Sequence, residues 1–231
     1  MNANRWAHIV ALIAFYCLAS AAPGQQAPSP DGLVPVKPRR MELAWLRPGA
    51  DFRPYTKVII DRTQVAFQPG WLKDYNLNAP MNKVSPDDAA KILAAAQTNF
   101  DDIFADAFRK AGYEVVTTTG SDVLRVNSAV LDLMLNAPLG QNLGPGTTWI
   151  ITAGQAALIV EVRDTVTNAL LGRVADREAT QNLGRQLAST TTNLYDFRRL
   201  FEHWAGICVT ALGELKAASP VPQDLKPNQR L

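Results

Sequence analysis

Ala156-Ala157-Leu158-Ile159-Val160-Glu161-Val162-Arg163-Asp164-Thr165-Val166-Thr167-Asn168-Ala169-Leu170-Leu171-Gly172-Arg173-Val174-Ala175-Asp176-Arg177 is the stretch that decides the fold. Ala156, Leu158, Val160 and Val162 alternate with Glu161 and Arg163, the period of two expected of a strand with one face buried. Thr165 to Asn168 is a turn, because short polar side chains bond their own backbone there. Leu170 to Arg177 then returns as a second strand. The segment is a β-hairpin, and the rest of the chain has to supply what covers it.

Two stretches of helical spacing do so. Ser85-Pro86-Asp87-Asp88 is a helix start: Ser85 caps free N–H groups, Pro86 suits the first helical position, and the aspartates favour the positive helix end. Leu93, Ala96, Phe100, Ile103, Phe104, Ala107 and Phe108 follow at steps of three and four, and Gly112 closes the helix. A second helix runs from about Asn193 to Lys216, with Phe197, Phe201, Trp204, Cys208, Ala211 and Leu215 along one stripe. Further strands lie at Lys57 to Gln68, with an irregularity near Arg62-Thr63, at Tyr113 to Thr117, and at Val123 to Asn136. In the last of these, Leu124, Val126 and Val130 share one phase and Leu131, Leu133 and Leu135 the other, which signals a bulge or burial on both faces. Trp149-Ile150-Ile151 could begin another strand. The order strand, helix, strands, helix predicts an α+β fold: a mainly antiparallel sheet with two long amphipathic helices packed on one face.

The ends read differently. Arg5, the apolar run Trp6 to Leu18 and the small residues Ala19-Ser20-Ala21 are the three parts of a secretory signal peptide, residues 1–21, cut between Ala21 and Ala22. The apolar run is too short for a permanent transmembrane helix. Residues 22–48, broken by Pro28, Pro30, Pro35 and Pro38, read as a proline-rich tether in which Lys37, Arg39 and Arg40 are a solvated basic cluster, although Met41 to Leu46 could dock through Trp45. Residues 49–217 are then a single α+β domain, with Pro69 to Val84 a polar loop and Gln181 to Thr192 a polar connection, and 218–231 a polar tail. The localisation expected is periplasmic or secreted. Tyr16 stands directly ahead of Cys17, where bacterial lipidation wants a small residue, and this argues against a lipid anchor. With Cys17 gone, Cys208 is the one mature cysteine, and it reads as a small buried hydrophobe.

Pro54-Tyr55-Thr56-Lys57-Val58-Ile59-Ile60-Asp61, the hairpin from Asp164 to Arg177, and Phe197 to Leu212 with its central Trp204-Ala205 together resemble the bacterial domain-of-unknown-function family 3313. The resemblance spans about Met41 to Lys216. It implies an exported envelope protein, commonly a lipoprotein, and no established activity. Tyr16 departs from that lipoprotein pattern.

Composition and motifs narrow the chemistry. Hydrophobic residues are 47% of the 231 and charged residues 19%, enough apolar material for a sizeable core. There are 23 basic and 21 acidic residues, and only Arg5 leaves with the signal, so the mature chain is near neutral with no stripe for nucleic-acid phosphates. His203 is the sole mature histidine, so a zinc site or a Ser–His triad lacks partners, and Ser121, Ser128 and Ser189 lie outside any nucleophile elbow. Asp102 and Asp106 form a solvated helix face with Lys110. Gly140, Gly144 and Gly146 lead to Thr147-Thr148-Trp149 and strand, not to the Lys and helix of a phosphate loop. The reading includes no catalytic residue, no metal and no cofactor. Trp71, Tyr75 and Trp149 are aromatics off the regular pattern, placed in loops, and are the candidate binding residues. The function expected is a non-enzymatic periplasmic binding or assembly module, meeting an envelope protein through the sheet face or the glycine-rich loop. The alternatives are an exported hydrolase using the carboxylates Asp61, Asp164 and Asp176, and a carrier of a small apolar ligand, which needs a cavity between helices and sheet.

Overall fold

A computed structural model describes residues 31–80, 83–135, 149–187 and 190–231; for 149–154, 179–187 and 190–196 only the backbone is described. The expected signal peptide with its Ala21–Ala22 cleavage point, Cys17 and the glycine-rich loop therefore lie outside the described residues. In chain order the elements are β1 (Val34–Val36), β2 (Leu43–Leu46), β3 (Lys57–Ile60), β4 (Gln64–Phe67), α1 (Trp71–Asn78), α2 (Pro86–Lys110), β5 (Glu114–Val115), β6 (Val123–Leu135), β7 (Trp149–Asp164), β8 (Leu170–Leu187) and α3 (Thr190–Ala218).

The fold is α+β, built on one sheet of order β1-β2-β8-β7-β6-β3-β5, with β4 also paired to β6. Its centre is the hairpin of β7 and β8, with Val160 opposite Val174 and Glu161 opposite Arg173. The sheet is mixed, which corrects the mainly antiparallel arrangement expected from the hairpin. Strands β3 and β4 run parallel to β6, and β5 runs parallel to β3. The cause is the helix between them: a chain that leaves β4, climbs through α2 and returns beside the same strands arrives parallel, as a crossover helix requires.

Strands β3 and β4 lie end to end along β6, beside Val123–Val126 and then Ala129–Leu133. The break between them is the irregularity read at Arg62-Thr63. It is pinned from three sides: Thr63 N–H donates to Asp101 at 3.0 Å, Thr63 Oγ1 lies 2.6 Å from Ser128 Oγ, and the Gln97 amide donates to the Thr63 carbonyl. The phase change in β6 is a bulge, with Asp132 at φ 53° and the register to β7 shifting between Leu131 and Met134. Leu124, Val126 and Val130 face the core before it, and Leu133 and Leu135 after it.

Helix α2 starts where its capping residues demand. Asp88 N–H donates to Ser85 Oγ at 3.1 Å, Pro86 is the first helical residue, and Gly112 at φ 89° takes the chain out of the helix in a backbone conformation that other residues resist. Its Phe100, Phe104 and Phe108 are buried, and Phe100 meets Phe201 of α3 edge-on at 5.1 Å. Both helices pack on the sheet face that carries Val58, Val126 and Leu158. Each fully buried large side chain there contributes about 1.5–3 kcal/mol relative to exposure.

Three further placements differ from the sequence reading. Residues 34–46, read within the tether, form β1 and β2; β2 pairs with β8 through Leu43 opposite Ala175 and Leu46 opposite Gly172. Pro35 permits this because β1 lies at the sheet edge, where a missing N–H costs no ladder bond. Residues 219–231 are not a solvated tail: Val221 and Leu225 are buried, and Val221 N–H donates to Ala50 at 2.8 Å. Finally, β8 continues to Leu187 beside the start of β7, through the stretch read as a polar connection. Among the described residues no helix is long and apolar enough to cross a membrane.

Candidate functional site

The sheet face turned away from α2 and α3 is a charge ladder. Glu161 is buried there between Arg163 Nη2 at 2.9 Å and Arg173 Nε at 2.8 Å, and Arg173 reaches Asp31 at 2.8 Å. Arg125 pairs with Asp61 at 3.0 Å and Arg177 with Asp132 at 2.7 Å. These opposite charges satisfy one another over the sheet face.

The three carboxylates considered for hydrolysis are each held by the fold. Asp61 accepts from Arg125 and from the Asn127 amide. Asp164 caps the β7–β8 turn: it accepts from Val166 N–H at 3.1 Å, from Thr167 N–H and Oγ1, and from the Tyr55 hydroxyl at 2.9 Å. Burial works against its charge, but these bonds outweigh it and hold its carboxyl below the usual range, while burial followed by the Asp164 bond pushes the Tyr55 hydroxyl well up. Asp176 joins three elements, accepting from Trp204 Nε1 on α3 at 2.8 Å and from Glu42 N–H beside β2 at 3.0 Å. His203 is exposed, 3.5 Å from Glu178. Burial first, and then the Asp176 charge, push the Cys208 thiol up to about 12, so it stays protonated. Among the described residues no group of three or more His, Cys, Asp and Glu side chains is placed to hold a metal.

The candidate binding aromatics separate. Trp71 and Tyr75 belong to helix α1, not to a loop: Gly70 at φ 82° turns the chain into it, and Trp71 is 5% exposed. Trp71 stacks on Phe67 with ring centres 4.1 Å apart and donates from Nε1 to the Leu135 carbonyl at 3.3 Å. Its area goes into the core. Tyr75 is half-buried, 5.2 Å from the Trp71 ring. Trp149 opens β7 with its backbone opposite Leu187; its side chain lies outside the described residues.

A cavity forms elsewhere, where residues 36–46 and Leu231 meet α3. Its floor is Ala44 and Leu46 of β2 and Val174 of β8, and one wall is Ile207, Ala211, Leu215 and Ala218 on the second half of α3. The other wall is the loop Val36–Met41 together with Leu231. Close approach underlies the floor: a Cβ on Gly172 would sit 3.0 Å from Leu46 Cδ2 and 3.3 Å from the Trp45 carbonyl. Helix α3 ends at Ala218, and the next residue, Ser219, donates from Oγ to the Leu215 carbonyl at 2.6 Å and accepts from Phe52 N–H at 3.0 Å. The chain then runs beside β1, with Lys37 N–H donating to Gln229 at 3.0 Å and Asn228 N–H to Pro35 at 2.8 Å.

The space is about 110 Å³. That is of the order of an engineered apolar cavity of about 150 Å³ that takes benzene, so it suits one ring or a short length of alkyl chain. The rim is basic: Lys37, Arg39 and Arg40 stand around Glu214 and the Leu231 backbone oxygen. Arg40 Nη1 lies 3.1 Å and Arg39 Nη1 3.8 Å from the same Glu214 oxygen, and Arg39 Nη2 donates to the Leu231 backbone oxygen at 3.1 Å. Lys37, Arg39 and Arg40, expected in a solvated linker, instead stand at the mouth of this cavity. The signal available was their position between apolar Val36 and Met41, together with small Ala211 and Ala218 on a helix stripe that is otherwise bulky.

The family described as protein of unknown function (DUF3313) matches residues 25–206. The chain belongs to this family. No curated protein matches it. Among solved structures it is similar to the PelC dodecamer from Paraburkholderia phytofirmans, at 9% identity and TM-score 0.38, over 73% of this chain and 95% of that one. It is also similar to protein XCC0632 from Xanthomonas campestris, at 10% identity and TM-score 0.37, over 84% of this chain and 99% of the other. A homolog of the neuraminyllactose-binding hemagglutinin from Helicobacter pylori is similar at 11% identity and TM-score 0.37, over 74% and 96% of the two chains. Each is a distant likeness and lends no function to this family member.

Proposed function

We propose that this DUF3313 protein is an exported, non-enzymatic binding module of the bacterial envelope whose site is the groove between the second half of α3 and the β1–β2 pair. The groove carries the reading. It is an apolar hollow between helix and sheet with a few charged groups at its mouth, the make-up of a binding site. The small-ligand alternative named such a hollow as its requirement, and Asp61, Asp164 and Asp176 already hold structural bonds. Burial of Trp71 favours the groove over the loop aromatics as the contact point.

Export rests on the composition of residues 1–21. A mass spectrum of the protein recovered from its own envelope is expected to begin at Ala22; a diacylglyceryl group on Cys17 would replace the cleaved form with an anchored one. Binding is tested by NMR titration of the purified protein with benzene. Saturable shifts at the Ile207, Ala211 and Leu215 methyls support the site, and shifts confined to other regions refute it.

A further inference from the structure

Resting on that reading, we infer that the groove takes a single-chain anionic amphiphile, its alkyl tail against Ile207, Ala211 and Leu215 and its carboxylate or phosphate head at Lys37, Arg39 and Arg40. Charge complementarity names the head. Lys37, Arg39 and Arg40 share the rim with Glu214, which both arginines already use, and with the Leu231 oxygen that Arg39 also holds, so Lys37 is the cation left to an incoming anion. Lys37 has no ion pair among the described residues; its backbone N–H is the group that is bonded, to Gln229. Bringing alkyl chain to this mouth strips water from guanidinium groups, which is costly unless an anion arrives with it.

The existing pairs yield easily. Arg39, Arg40 and Glu214 side chains are 52%, 47% and 39% exposed, and ion pairs so exposed add little to stability. An incoming anion replaces Glu214 as the partner of the guanidinium forks, a geometry that carboxylate and phosphate both match. Size names the tail: about 110 Å³ suits a short alkyl chain.

The test is a methyl-NMR titration of the purified protein with octanoate, octylammonium and octanol, each below its aggregation limit. Octanoate is expected to shift Ile207, Ala211 and Leu215 saturably, and octylammonium to bind at least tenfold more weakly. The double variant Arg39→Gln, Arg40→Gln is expected to weaken octanoate about tenfold, and Ala211→Trp to abolish its binding. Equal binding of all three probes at these methyls overturns the anionic class and leaves the groove reading standing. No shift with any of them overturns both. Phosphatidylglycerol vesicles bound equally well by wild type and by Ala211→Trp would show a rim that meets membrane surfaces, and would overturn the single-chain occupant. The comparison of probes on unaltered protein decides the question even if Ala211→Trp fails to fold.

Discussion

The two ends of helix α3 face the same sheet and are built in opposite ways. Toward its start, Phe197, Phe201 and Trp204 are buried and interlock with Phe100 and Phe104 of α2, with the Phe100 and Phe104 rings stacked 4.1 Å apart. Toward its end, Ala211 and Ala218 put little volume on the sheet, and the Val36–Met41 loop closes over the gap. Aromatic volume at one end fills the interior to the density that holds a fold together; small residues at the other leave a hollow. The difference teaches that space in this molecule is placed, since one helix supplies both the packed core and the open site.

Substitutions can break this contrast, beginning with the largest effect. Phe201→Ala removes a ring that is 1% exposed and is expected to cost about 3–5 kcal/mol in chemical denaturation. Asp176→Asn leaves one of its two donors, Trp204 Nε1 or Glu42 N–H, facing an amide NH2, and is expected to cost about 1–3 kcal/mol. Ala211→Leu has the opposite sign, filling the hollow and raising stability by about 0.5–2 kcal/mol while octanoate binding falls. A loss of stability there as large as that of Phe201→Ala would show that the second end is packed like the first.

Smaller effects sharpen the same comparison. Gly206 lies on the solvent side of α3, and a Cβ added there would meet nothing within 4 Å, so Gly206→Ala is expected to raise the melting temperature through about 0.5–1 kcal/mol of helix propensity. Asp164 gives the smallest, a pH effect at the hairpin turn. Its folded pKa lies below its ordinary 3.8, so the folded protein binds fewer protons than the unfolded one as pH falls. Its stabilisation is therefore full above 3.8 and disappears as pH drops through the folded value. Asp164→Asn is expected to flatten the stability curve below about pH 5 relative to wild type; an unchanged slope would remove Asp164 from the acid response.

Local features were legible because neighbouring residues write them. The hairpin turn at Thr165–Asn168, the cap at Ser85, the exit at Gly112 and the β6 bulge each announce themselves within a few residues, through turn chemistry or a change of phase. Helix α1 was missed: one buried Trp71 and polar neighbours leave almost no stripe, and Trp71 is held from outside by Phe67 and the Leu135 carbonyl. The candidate site was the least legible part. Its basic rim stood in a proline-rich stretch whose composition is that of a linker, and only pairing with β8 reveals it as a wall.

The sequence by itself determined the α+β class, the central hairpin, the helix that Ser85 caps, and a membership in family 3313 that the family match bears out. These depend on periodicity and caps, which act over a turn or two of chain. Tertiary structure alone decided that the sheet is mixed, that residues 34–46 join it and that a hollow remains beneath them. Glu42 and Asp176, bonded at 3.0 Å, are 134 residues apart, and no local pattern encodes a contact whose driving force is the burial of surfaces that meet only after folding.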